Sequence, residues 1–178
     1  MAICELNKDL LKSTLCGYSL GAISRIYLAN YEDVKATTLS STEGCTEVAS
    51  ITMDTDKVWY KIDPAKNSAS WTDELVVNDD GSKYRTHTLN FNVIGAFDCS
   101  MPDVIDALSL GKYIAVIQKN DGTYAMLGRT AGLEADVVTA GGSDDNGTVN
   151  GVQVTLSANT AECAIPLSTA AIEVVTGN

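Results

Sequence analysis

Apolar and polar residues alternate with a period of two along several long segments of the chain. In residues 84–94, three apolar side chains share one side: Leu89, Phe91 and Val93. The residues that alternate with them are polar: Thr88, Asn90 and Asn92. The same alternation returns in residues 148–158. Because successive side chains of a strand point to opposite faces, this pattern is typical of strands with one face on a core. It predicts a mainly β chain.

Short turns separate the other segments that favour strands. Strands are expected at residues 22–29, 47–53, 57–62, 84–94, 112–118, 123–128, 131–139, 148–158 and 164–168, with 171–175 as a further candidate. A tight turn at 54–56 would close the second and third of these, and Asp121-Gly122 marks a hairpin turn. At 178 residues, the chain is predicted to be one β-sandwich or barrel-like domain over 1–178. Residues 1–16 are expected to form a short helix or an irregular arm.

One segment, residues 100–111, predicts an α-helix that flanks the sheet. Ser100 is a good N-cap residue, Pro102 is tolerated in the first turn, and Gly111 stops the helix. Four apolar residues are expected to form its buried stripe: Val104, Ile105, Leu108 and Leu110.

Two connections are unusual. Residues 63–82 form a long inserted loop with four large apolar residues: Trp71, Leu75, Val76 and Val77. A loop this long and apolar docks on something, either its own core or, as we expect, a neighbouring subunit. Residues 141–147 are acidic and glycine-rich, but their acids do not alternate as calcium ligands do in an EF-hand, so we expect a hairpin tip.

The charge is strongly negative, with 23 acidic against 12 basic residues and a net charge of −11. This argues against a basic nucleic-acid-binding patch and against docking on anionic lipid, and no apolar run approaches a membrane span. Residues 121–178 hold one basic residue, Arg129, and seven acidic ones. Glu134 and Asp136 are expected to share one strand face, either as a solvated surface or as a surface that repels a polyanion; Glu162 and Glu173 are weaker candidates.

Nothing in the sequence indicates catalysis or a cofactor. The five cysteines, at positions 4, 16, 45, 99 and 163, are widely spaced, which disfavours a zinc ribbon and favours reduced, mostly buried thiols. The only histidine, His87, is expected to be a satisfied surface residue. No nucleophile elbow or phosphate-binding glycine loop is present. We therefore expect a protein that is not an enzyme and that needs no metal or cofactor.

Two stretches resemble a known family. LGRTAGLEADVVTAGGSDDNGTVNGVQVTLSA, at 127–158, is similar to the closing region of the major tail (tail tube) proteins of long-tailed bacteriophages. GAISRIYLANYEDV, at 21–34, resembles the start of such proteins in phages and prophages of gut Bacteroidetes-type bacteria. The stretch from Cys4 to Cys16 departs from the family pattern.

The resemblance implies a structural virion protein without enzymatic activity, assembled in the cytoplasm of the host bacterium. Six subunits would form a ring, rings would stack into a tube, and other tail or neck proteins would join it. Genomic DNA would pass through the lumen without specific binding. In this setting Trp71, Leu75, Val76 and Val77 are candidates for subunit contacts, and Glu134 and Asp136 for lumen-facing acids. The alternative is a capsid decoration or adhesin module that binds a surface or a carbohydrate.

Overall fold

The computed structural model describes residues 22–42, 45–94, 99–141 and 151–177, and this part of the chain is mainly β, as predicted. Its strands are β1 (Ile23–Asn30), β2 (Val34–Thr42), β3 (Cys45–Met53), β4 (Tyr60–Ile62), β5 (Ser70–Val77), β6 (Lys83–Ile94), β7 (Lys112–Lys119), β8 (Tyr124–Leu127), β9 (Leu133–Gly141), β10 (Gly151–Thr160) and β11 (Ile165–Pro166). Its helices are a single 3-10 turn (Tyr31–Asp33), α1 (Met101–Leu110) and α2 (Thr169–Thr176).

Strand β7 lies where one continuous sheet folds into two layers. It pairs with β1 along one edge, and along the other edge it pairs first with β9 and then with β8. One layer therefore has the order β9-β10-β6-β5, and the other contains β4, β1, β7, β8 and β11. All the pairings within these layers are antiparallel. The main core fills the space between the layers, with Leu28, Phe91, Leu127 and Val154 among its buried members.

A second core lies on the other face of the layer that contains β7. The β2–β3 hairpin and α2 cover this face, and Tyr27, Ile51, Val116 and Val175 are buried there. As a result, Tyr113–Ile117 of β7 form five consecutive buried residues instead of alternating. A strand covered on both faces reads as a continuous apolar run.

Helix α1 begins and ends close to the predicted limits. Ile105 and Leu108 pack against the main core, as expected, and so does Met101. Val104 and Leu110 are exposed, the latter by 88%, so the predicted stripe is wrong at these two positions. Helix α1 packs along only one margin of the sandwich, beside β9. Only the apolar side chains on the helix face that points to the sandwich therefore reach the core.

Three predicted features need correction. Residues 63–82 are not a plain loop, because they contain β5, the last strand of its layer. Strands β3 and β4 do not pair with each other; β3 pairs with β2, which the sequence did not reveal, and β4 pairs with β1. Residues 171–175 belong to α2, whose N-cap Ser168 accepts a hydrogen bond from the Ala171 N–H. The predicted N-terminal arm and the acidic loop, apart from Gly141, lie outside the described residues.

These corrections share a physical cause. Strand β2 reads VKATTLSST, which has too few apolar residues to alternate visibly. In α2, branched residues favour a strand locally, but the buried pair Ala171 and Val175 is spaced by one helical turn. In both cases, packing against the second core outweighs the local preference of the chain.

Gly128 lies where the chain crosses from β8 to β9 and passes between the layers. We expect substitution of this glycine to destabilise the fold. Gly128 has a φ of +70°, and a Cβ there would lie 2.8 Å from Leu133 Cγ. Gly122, in the β7–β8 turn, has a φ of +83° with nothing within 4 Å of its Cβ position. We expect Gly122→Ala to lower the free energy of unfolding by about 1–2 kcal/mol through backbone strain, and Gly128→Ala by at least about 1 kcal/mol more. Urea denaturation measures both, and equal losses would contradict the crowding argument.

Candidate assembly surfaces

The layer β9-β10-β6-β5 has two edges that no described strand covers. Strand β5 pairs with β6 on one side only. Strand β9 pairs with β10, and on its other side only Leu133 and Glu134 meet β7. From Ala135 to Gly141 that second side has no strand partner in the described part of the chain. Edges without a strand partner present rows of backbone N–H and C=O groups, which are ready to pair with another chain. Helix α1 packs beside the β9 edge.

The four predicted contact residues all lie on β5, but in different surroundings. Trp71 packs against the protein's own main core, with Lys119 Nζ 5.3 Å from the centre of its ring. Leu75 and Val77 are 54% and 56% exposed, and Val76 is half-buried on the opposite face. The structure thus brings Trp71 inside and leaves Leu75 and Val77 available to a partner.

The outer face of this layer is polar at its centre and carries acids at its margins, Glu74 on β5 and Glu134 and Asp136 on β9. We call it the polar face, and its central members are Ser70, Thr72, Thr86, Thr88, Asn90, Asn92, Gln153, Thr155, Ser157 and Asn159. Hydrogen bonds cross the strands, from Thr155 Oγ1 to Asn90 Oδ1 at 2.7 Å and from Thr86 Oγ1 to Asn159 Oδ1 at 2.9 Å. Among the described residues, no lysine or arginine belongs to the outward-facing register of these four strands.

Glu134 and Asp136 lie at the β9 margin of the polar face, and both are exposed. The pairing between β9 and β10 shifts around Asp136, which marks a β-bulge. Both acids line a shallow groove with Lys112 and Ser157, and Lys112 Nζ lies 3.1 Å from Glu134 Oε1. The bulge also turns Val137 outward to solvent, whereas simple alternation from Leu133 would place it on the core side.

His87 is buried, not on the surface, with an exposure of only 1%. Its Nδ1 accepts a hydrogen bond from the Gly128 N–H at 3.2 Å, which leaves the ring proton on Nε2, 3.6 Å from Asp73 Oδ1. Burial lowers the pKa of His87 below its ordinary 6.5, although the carboxylate of Asp73 opposes the shift. His87 lies on the same face of β6 as Leu89 and Phe91, because every second residue of a strand points to the same side. This alternation is the sequence signal that could have predicted its burial.

Asp73 is the inward-facing charge of the edge strand β5. Its Oδ1 accepts a hydrogen bond from Arg85 Nε at 2.6 Å, and its Oδ2 accepts one from the Ala164 N–H at 2.9 Å. Burial works against the charged carboxylate, but these two donors hold the pKa of Asp73 below its usual 3.8. Sequence reasoning missed this cluster because its members are up to 91 residues apart.

The weaker acid candidates occupy different settings. Glu162 accepts hydrogen bonds from Arg129, with Nε 3.0 Å from Oε1, so its charge is neutralised in a partly buried pair. Glu173 lies exposed on α2, away from the polar face.

Metal-binding side chains do not cluster in the described part of the chain. No group of three or more histidine, cysteine or acidic side chains among them is placed to hold a metal ion. Cys45, Cys99 and Cys163 are free thiols and exposed, which corrects the expectation of buried cysteines; positions 4 and 16 are outside the described part. No helix within the described ranges is long and apolar enough to cross a bilayer.

Compared with known proteins, the chain matches no family model, no curated protein and no solved structure.

The burial of His87 predicts an acid-sensitive fold. Its pKa is lower in the folded protein than in the unfolded chain, so the unfolded state takes up the proton first as the pH falls. The free energy of unfolding should therefore decrease as the pH falls below about 6.5, by at most about 1.4 kcal/mol per pH unit. Denaturation at several pH values between 8 and 5 measures this, with His87→Gln as the variant that lacks the titration. Parallel pH profiles for the two proteins would contradict it.

Proposed function

We propose that this protein is the structural subunit of a phage tail tube: copies of the chain join into rings, and the rings stack into a tube through which DNA passes. The observation that carries the proposal is the pair of opposite edges on the layer β9-β10-β6-β5 that have no strand partner among the described residues, with helix α1 packed beside the β9 edge. The family resemblance supplies the ring of six and the virion setting.

The direction of the strands suits edge-to-edge joining. Each step from β9 to β10, β6 and β5 is antiparallel, so β5 and β9 run in opposite directions at opposite edges. When β5 of one copy lies beside β9 of the next, the new pair is also antiparallel. Such a head-to-tail contact uses two different surfaces and closes into a ring when the rotation between copies allows it.

Leu75 and Val77 support the same contact. They are large apolar side chains on an edge strand, and β5 carries neither the lysine nor the proline that commonly protects such an edge. Pairing with a neighbour would cover both the backbone groups and these side chains. Ser70–Val77 has eight residues, close to the seven of the uncovered stretch 135–141 on β9.

The polar face suits a wall along which DNA slides. Proteins hold DNA phosphates mainly with lysine and arginine, and the release of counterions makes that binding strong. Hydroxyl and amide groups give no such binding. At the β9 margin Glu134 and Asp136 carry negative charge that repels phosphate, and Lys112 compensates part of the charge of Glu134. A ring would repeat this wall around the lumen.

The alternative, a decoration or adhesin module, predicts a monomer or a trimer in place of rings and tubes. A carbohydrate-binding surface also commonly presents aromatic rings. The outward-facing register of these four strands holds one, Tyr84, in the described part of the chain. Particle size in solution and negative-stain images of the purified protein distinguish the two functions.

The edge contact predicts a loss of assembly when β5 carries charge. We expect Leu75→Lys with Val77→Lys to leave the circular dichroism spectrum unchanged, because both side chains are exposed. Ring formation should require at least about a hundredfold more protein, since a lysine buried without a partner costs on the order of 3 kcal/mol or more. Light scattering and negative stain measure assembly. Val174→Lys, an exposed valine on α2, is the control and should assemble normally; normal rings from the β5 variant would refute the contact.

The lumen assignment predicts a gain of DNA binding when the marginal acids are reversed. Tubes of Glu134→Lys with Asp136→Lys should retain a short DNA duplex at about 50 mM salt and release it at about 200 mM, because the new cations bind phosphates. Tubes of the natural sequence should retain none. The control reverses the same charge on the helices, with Asp103→Lys and Glu173→Lys. Equal DNA retention by the control tubes would place Glu134 and Asp136 away from the lumen.

A further inference from the structure

The β2–β3 hairpin is a two-stranded sheet of its own, and it packs on the second core through Val48 and Ile51. Ser168 binds it from below, donating its N–H to Val48 O and its hydroxyl to Ala49 O, each at 3.0 Å. On the β2 side, Thr37 Oγ1 accepts a hydrogen bond from Arg129 Nη1 at 3.2 Å. This last contact joins the hairpin to the connection between β8 and β9.

Arg129 also contacts the segment between β10 and β11. Its guanidinium contacts both carboxylate oxygens of Glu162. The Glu162 N–H is in turn donated to Thr160 Oγ1 at 3.3 Å, and the Thr160 hydroxyl lies 2.9 Å from that of Thr130. The ion pair is about one-fifth exposed at each side chain, so solvent screens it only weakly.

Two residues after Glu162, the same segment contacts the edge strand β5. The Ala164 N–H is donated to Asp73 Oδ2 on β5, whose other carboxylate oxygen accepts from Arg85 on β6. Asp73 is 11% exposed in its side chain. Two groups of polar contacts, joined by the backbone from Glu162 to Ala164, therefore connect Thr37 in the hairpin with Asp73 in the edge strand.

We propose that the segment 160–164 couples the β2–β3 hairpin to β5, so that the seating of the hairpin sets how firmly the edge strand is held. The segment contacts two partly buried charged pairs: Glu162 within it pairs with Arg129, and the Ala164 N–H binds the carboxylate of Asp73, which pairs with Arg85. When one partner of such a pair moves away, the other is left uncompensated, so the contacts form or break together. The inference depends on the proposed function in one respect only, namely that β5 is an edge used in assembly. In that case a second copy of the chain would dock on a strand that the hairpin already holds in place.

Amide hydrogen exchange in β5 tests the coupling without any need for assembly. The full chain carries Leu75→Lys and Val77→Lys throughout, a background expected to be monomeric whether or not the proposed function holds. Thr37→Val removes the hydroxyl that Arg129 contacts, with little change in shape. We expect exchange of the amides in Ser70–Val77 to become roughly two- to thirtyfold faster, the range that coupled positions produce.

A neighbouring threonine supplies the matched control. Thr38 Oγ1 lies 2.6 Å from Ser50 Oγ inside the hairpin and takes no part in either group of contacts. Thr38→Val should leave exchange in β5 unchanged. Glu162→Gln is the second variant, expected to speed exchange in β5, and Glu173→Gln on α2 is its control. Unchanged protection of Tyr113–Ile117 in all variants shows that the fold is intact.

The coupling is overturned if Thr37→Val and Glu162→Gln speed exchange only in the hairpin and around Arg129, with β5 as in the background. It is equally overturned if Thr38→Val loosens β5 as much as Thr37→Val does. Neither result depends on rings. If the coupling is observed but the protein without the two lysine substitutions forms no rings, this inference stands and the proposed function is refuted.

Discussion

The pairing of β1 with β7 is the interaction on which the rest of the structure depends. Ile26, Leu28 and their partners Ile117 and Ala115 face the main core, while Tyr27 and Val116 face the second. Each of the two strands thus contributes to both cores. Because interiors are packed closely, a change in either strand affects both layers above and below it. The β5 edge on one side and the hairpin on the other are held by the same central pair.

Around this centre the protein places its charges in two ways. Inside, Asp73 and Glu162 each meet an arginine, and these contacts hold an edge strand and a connecting segment in place. Outside, the polar face presents hydroxyl and amide groups, with acids at its β9 margin. An inward charge on an edge strand also limits pairing in the wrong register, since a slip by one residue would expose Trp71 and move Asp73 out of its pocket. The surface proposed to join subunits is therefore fixed in register before a partner arrives.

Much of the fold could be predicted from alternation. Strand β6, strand β10 and the β7–β8 hairpin lie where the pattern places them, and α1 lies where its capping residues and glycine place it. The candidate site was predicted less well. Leu75 and Val77 are exposed, but Trp71 is used by the protein's own core, and the bulge at Asp136 turned Val137 outward. A bulge adds one residue to one strand and none to its partner. The position of a bulge therefore depends on how the two strands pair, and the sequence of one strand does not show it.

Taken by itself, the sequence determined the β class, the excess of acid, the position of α1 and the sides of β6 and β10 that face the core. These features follow from residues that are neighbours along the chain, and their physical cause is local: side-chain parity, capping and charge. The tertiary structure alone decided that residues 70–77 form an edge strand, that β3 pairs with β2, that 171–175 is helical and that Asp73 meets Arg85 and His87. Each of these depends on contacts between distant segments, whose packing and hydrogen bonds outweigh local preferences that differ by only about 1 kcal/mol per residue.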